Sequence, residues 1–207
     1  MLRRRTQTAG VLLLMVIFSG CGATRPMKYY VLDPGPTPAA SSTQYPVTLL
    51  VGRITASHLY RDDRIVYGSG PVQLGVFGYE RWAEPPADMI QDLLVGSLRS
   101  SGQYRAVSSL SSNVRGDYIV RGHLWAISEV DQPQLMARFS LQVELFDPKT
   151  RTTVWSSKYE HDEPAQGKTV QSMVEAMNRN VHAGLQQLTA GLGEYFASHP
   201  VQQPVGN

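Results

Sequence analysis

Met136–Asp147 alternates almost without fault. Ala137, Phe139, Leu141, Val143 and Leu145 interleave with Arg138, Ser140, Gln142 and Glu144. A period of two sends successive side chains to opposite faces of a sheet. A slip of one residue would bury the charges and expose the apolar set. The segment is therefore a strand with one dry and one wet face. Asp147-Pro148-Lys149-Thr150 carries turn chemistry, and Thr152–Tyr159 reads as the returning arm of a hairpin.

The dry face needs a cover. Val170, Val174, Met177, Val181, Leu185, Leu188, Leu192 and Tyr195 fall on one stripe at helical spacing, with Ser172 and Glu175 as a capping box if the helix starts there. A second helix is expected after Pro85-Pro86, where proline needs no amide donor. Met89, Ile90, Leu93, Leu94 and Leu98 recur along it, and Gly102 suits the position just past its end. Further strands are read at Tyr29–Leu32, Val47–Ile54, Val72–Tyr79, Tyr104–Val107 and Tyr118–Ile127, with a polar segment at Arg61–Arg64 ahead of Ile65-Val66-Tyr67 and a loop over Glu160–Lys168. The pattern predicts an α/β (α+β) single-domain sandwich: a mixed sheet of about six to seven strands packed by two main helices.

The N-terminus has the anatomy of a secretory signal. Arg3-Arg4-Arg5 is followed by the apolar run Val11–Phe18 and then Ser19-Gly20-Cys21. The run is about half the roughly 20 residues a membrane-spanning helix needs. Its end resembles the lipobox of bacterial lipoproteins, with Phe18 where Leu is usual. That resemblance implies cleavage between Gly20 and Cys21 and acylation of Cys21, including an amide-linked chain such as palmitate. Cys21 is the only cysteine; lipidation removes a free thiol that an oxidising periplasm would attack. Gly22 follows, as in lipoproteins sorted to the outer membrane. The expected organisation is a signal over 1–20, a lipidated tether over 21–28, the domain over 29–197 and a tail over 198–207.

Charge narrows the partners. Three of the 19 Lys and Arg lie in the signal, so the mature chain carries 16 basic against 17 acidic side chains. No basic run remains, which removes the main electrostatic support for nucleic-acid binding. The five histidines form no metal-ligand pair, and no cofactor is expected. His161-Asp162-Glu163 has cation-binding residue types, but a solvated loop explains it more simply. Gly167-Lys168-Thr169 has the ending of a phosphate-binding loop, but Asp162 stands where the first glycine is required; a helix start remains. No Gly-x-Ser-x-Gly elbow is present. No catalytic residues are assigned and no enzymatic activity is expected.

Tyr79-Glu80-Arg81-Trp82-Ala83-Glu84-Pro85-Pro86 offers two readings. Tyr79, Arg81, Trp82 and Pro85 have the composition of an interface anchor. Equally, Trp82 packs under the helix start while Arg81 pairs with Glu80 or Glu84.

The lipobox, Tyr29-Tyr30-Val31-Leu32, Arg64-Ile65-Val66-Tyr67, the Arg81-Trp82 to Pro86 segment and Leu98–Val107 occur in an order that resembles the ABC-type transport auxiliary lipoproteins, the PqiC-like family. The resemblance spans about residues 29–196. It implies a fold similar to the N-terminal domain of TolB. It also implies an auxiliary docking role beside an MCE-domain protein, an ABC permease and an ATPase. Such systems move lipids between the inner and outer membranes and maintain envelope integrity. Partners would then be that complex, outer-membrane lipids through Cys21, and a possible homo-oligomer. The alternative is a periplasmic carrier that holds hydrophobic cargo itself, which would need an apolar pocket.

Overall fold

The computed structural model describes residues 25–35, 41–68, 72–131 and 133–200. Eight strands form one mixed sheet: β1 Lys28–Tyr30, β2 Tyr45–Ala56, β3 Arg64–Gly68, β4 Leu74–Trp82, β5 Tyr104–Ser109, β6 Tyr118–Asp131, β7 Leu135–Asp147 and β8 Thr152–Pro164. Two helices complete it, α1 Pro86–Ser100 and α2 Val170–Ser198. The count exceeds the expected six or seven because Arg64–Gly68 is a strand of its own.

β6 organises the sheet. One edge pairs antiparallel with β7 along nearly its whole length, and β7 pairs with β8. The other edge is shared. Tyr118–Leu124 pairs parallel with β2, and Ser128–Val130 pairs parallel with β3. The chain leaves this edge at Ala56, turns through a short 3-10 segment at His58–Tyr60, and rejoins it at Val66. Beyond β2 lies β5; beyond β3 lie β4 and finally β1, the strand next to the N-terminus.

The alternation in β7 decides which face is dry. Ala137, Phe139, Leu141, Val143 and Leu145 are all 0–2% exposed. α2 lies across β7 and β8 on that side, while α1 covers β2 and β5. The predicted α2 stripe is the buried one, except that Val170 and Tyr195 are only partly buried and Met173 and Phe196 sit inside. Phe196 closes one end of the core, its ring 5.4–5.8 Å from those of Tyr45, Tyr104 and Tyr118. Asn180, 1% exposed, is the polar exception. It donates to the Ala137 and His161 carbonyls at 2.8 and 2.9 Å and accepts from Tyr159 at 2.9 Å. A buried amide is tolerable only when satisfied in this way.

Two local expectations are corrected. α2 starts at Val170, so the capping box is Thr169 with Ser172 rather than Ser172 with Glu175. Thr169 Oγ1 accepts from the Ser172 amide and Ser172 Oγ from the Thr169 amide, each at 3.1 Å. β8 also runs on to Pro164, so Glu160–Pro164 is strand instead of loop. Ion pairs hold this extension. Arg138 donates twice to Asp162 at 2.8 and 2.7 Å, and Arg179 to Glu163 at 3.0 Å. These pairs occupy both acidic residues of the 161–163 segment, Asp162 and Glu163.

Glu129 is less comfortable. It sits between Tyr67 of β3 and Ala137 of β7 in the register and is 8% exposed. Burial pushes its carboxyl up to about 7, with Asp131 adding repulsion.

Candidate functional site

Gly20 and Cys21 lie outside the described residues. What the structure places is the segment that follows the expected anchor. β1 is the edge strand beside β4, with Lys28, Tyr29 and Tyr30 opposite Glu80, Arg81 and Trp82. Glu80 is buried; it accepts a hydrogen bond from the Tyr30 hydroxyl at 2.8 Å and lies 3.6 Å from Lys28 Nζ. Burial and this carboxylate push the Tyr30 hydroxyl up to about 12. Past β1, α2 fastens the chain. The Asp33 amide donates to Asn178 Oδ1 at 3.0 Å, and His182 Nε2 donates to the Asp33 carbonyl. Gly35 has φ +66°, and a Cβ there would come 2.1 Å from the His182 ring. Only glycine fits that crossing.

The four residues expected at a partner surface differ in exposure. Trp82 is 1% exposed and packs in the core beside the α1 start. The packing reading of Trp82 therefore holds, and the tryptophan has no surface to offer. Arg81 pairs with Asp63 at 3.4 Å, not with Glu80 or Glu84. The reason is register: Arg81 faces Arg64 across β3, next to the turn that carries Asp63. Pro85 is the half-buried N-cap of α1. Tyr79 alone of the four is well exposed, at 47%.

Another aromatic was missed. Among the described residues no helix covers the face of β6, β7 and β8 away from α2, and Trp125 stands on it 51% exposed. Trp125 is the extra residue of a bulge between the Leu124–Leu141 and Ala126–Ser140 pairs. Bulges re-aim side chains. Its indole N–H donates to Gln142 at 3.2 Å, His123 meets it edge-on at 4.3 Å, and Lys158 Nζ lies 5.7 Å from its ring centre. Gln142 in turn donates to Glu144 and Ser156, and His123 Nδ1 lies 2.8 Å from Thr55 Oγ1. The side chains are held in place around an exposed ring, a low-entropy platform for a partner. The signal was legible: Arg121, His123 and Trp125 share one parity in β6.

Among the described residues no three His, Cys, Asp or Glu side chains converge on a metal site, and no helix is long and apolar enough to cross a membrane. Between α1 and α2 lies an open groove of about 540 Å³, lined by Leu93, Gly96, Ser97, His182, Leu185 and Thr189 among others.

Comparison with known proteins agrees with the fold. The profile of the family described as ABC-type transport auxiliary lipoprotein component matches residues 30–189. The crystal structure of XCC0632 from Xanthomonas campestris superposes with a TM-score of 0.75 at 21% identity, covering 83% of this chain and 99% of that one. CT253 from Chlamydia trachomatis is more distant, with a TM-score of 0.52 at 8% identity, covering 74% and 99% of the two chains. At these identities the likeness is one of fold. No curated protein sequence matches the chain.

Proposed function

The chain belongs to the family of ABC-type transport auxiliary lipoprotein components, and we propose that it is the periplasmic docking subunit of an MCE-type lipid transport system, anchored in the outer membrane through acylated Cys21. Processing between Gly20 and Cys21 removes residues 1–20, and a short tether leads into β1. Gly22 supports the outer membrane as destination. The subunit contributes binding rather than catalysis: it holds an MCE-domain protein, and through it the permease and ATPase, beside the membrane that receives or supplies lipid.

The observation that carries the docking reading is the uncovered sheet face around Trp125. Exposed aromatics ringed by ordered polar groups are the residue types that dominate protein interfaces. This moves the partner surface from the Arg81-Trp82 segment to β6, β7 and β8. The acylated chain, extracted from membranes in mild detergent, is expected to carry the MCE-domain protein with it. Cys21→Ala should leave the chain without its acyl mass and release it from the membrane fraction. Capture of no MCE-domain protein by the acylated chain contradicts the reading.

One observation favours the carrier alternative, the groove between α1 and α2. Its volume of about 540 Å³ falls within the roughly 300–1,000 Å³ of ligand sites. Native mass spectrometry of the purified chain separates the readings: a co-purified phospholipid supports a carrier, and a protein-only mass supports a docking subunit.

A further inference from the structure

Large exposed apolar side chains are unevenly spread. Six of nine among the described residues lie on or beside β1 and β4, and four of these, Met27, Tyr29, Val31 and Tyr79, gather where β1 pairs with the end of β4. Tyr29 stands opposite Arg81 in the register, so it shares a face with Arg81 and Tyr79. Its exposure is 63% and that of Val31 is 62%. β1 is an edge strand, so this stripe has no neighbour beyond it. β1 is too short to be an edge hazard in itself, but clustered exposed apolar side chains mark an interaction site.

The chain ahead of the stripe limits what that cover is. Arg25 lies with its guanidinium 5.5 Å from the centre of the Tyr79 ring. Arg25 is four residue steps from Cys21, at most about 13–14 Å of extended backbone. The Cys21 backbone cannot then sit farther than that from the Arg25 backbone, so the membrane that takes the acyl chains lies close to the Arg25–Tyr79 corner. The residue types match such a place. Tyrosines lie with the ring among the glycerol groups and the hydroxyl in water. Arg25, whose guanidinium lies over the Tyr79 ring, suits a lipid phosphate.

We propose that the Met27, Tyr29, Val31 and Tyr79 edge rests in the headgroup layer of the bilayer that holds the anchor, fixing the orientation of the domain. The inference rests on the reading that Cys21 is acylated. The edge does not hold the protein in the membrane; it sets which side faces down. From β1 across β4 and β3 to β6 is three strand spacings, about 14 Å. Trp125 is thereby kept off the lipid and available to a protein.

The test uses the full acylated chain in phosphatidylethanolamine–phosphatidylglycerol vesicles. Because Cys21 is the only cysteine and its sulfur is blocked by lipid, a single new cysteine takes an environment-sensitive fluorophore uniquely. Probes are placed by Tyr29→Cys, Tyr79→Cys and Leu110→Cys, all at exposed positions. Headgroup-level nitroxide lipids are expected to quench the Tyr29 and Tyr79 probes about twofold or more and to leave the Leu110 probe unquenched. Chains that float with the vesicles but show equal, weak quenching at all three positions overturn the edge contact and leave the anchor intact. A chain with no acyl mass that fails to float overturns both.

Discussion

The two faces of β7 differ more than any two regions of the protein. Facing α2, five alternate residues from Ala137 to Leu145 are essentially inaccessible. Facing away, Gln142 and Glu144 join His123, Trp125 and Lys158 in an open network. The same backbone hydrogen bonds serve both. One face therefore supplies most of the apolar burial that drives folding, and the other, apart from Ser140 and the Arg138–Asp162 pair, leaves side chains open to solvent.

The sharpest way to break that division is to cut into the dry side. Trp82→Ala removes a wholly buried indole, and about 3–5 kcal/mol of stability should go with it. Urea unfolding followed by circular dichroism reads the loss. Trp82→Phe should be far milder, since the indole N–H has no hydrogen-bond partner among the described residues and its removal leaves nothing unpaired. A severe Trp82→Ala effect on partner capture with full stability would instead return Trp82 to the interface.

Asn180→Ala tests the polar joint between α2 and the sheet. It orphans the Tyr159 hydroxyl and two carbonyls, a cost of about 1–3 kcal/mol visible in the same unfolding curves. Amide exchange along β8 should speed up alongside it.

Glu129 gives the pH dependence. Its carboxyl is raised from the ordinary 4.5 to about 7 in the folded chain, so the folded state binds the proton more tightly than the unfolded state. Its contribution is fully present below about 4.5 and fades as pH rises through about 7, with a slope of at most about 1.4 kcal/mol per pH unit. Glu129→Gln should flatten the fall in midpoint temperature between pH 5 and 7.5. An unchanged profile would mean that Glu129 is solvated in the folded protein.

How much of this could be read beforehand follows from how local each signal is. The β7 alternation, the α2 stripe and the proline-led α1 depend on neighbours in sequence, and all three stand where expected. The end of β8 did not announce itself, because Glu160–Pro164 is polar and becomes strand by pairing with Met136–Ser140, aided by Arg138 and Arg179, residues distant in sequence. The split edge of β6 was likewise hidden, since parallel pairing of β2 and β3 leaves no turn signature. Trp82 carried two readings until burial chose one. Trp125 lay in plain alternation with Arg121 and His123, but a bulge was needed to lift it clear of the sheet.

Trp125→Ala should have the smallest effect on folding and the most direct bearing on function. The acylated protein carrying it is compared with the unaltered chain for affinity to the MCE-domain protein, with thermal unfolding measured on the same samples. The account predicts a stability change within about 0.5 kcal/mol and a loss of affinity of about tenfold or more. Unchanged affinity, with the fold intact, would contradict the open face as the docking surface.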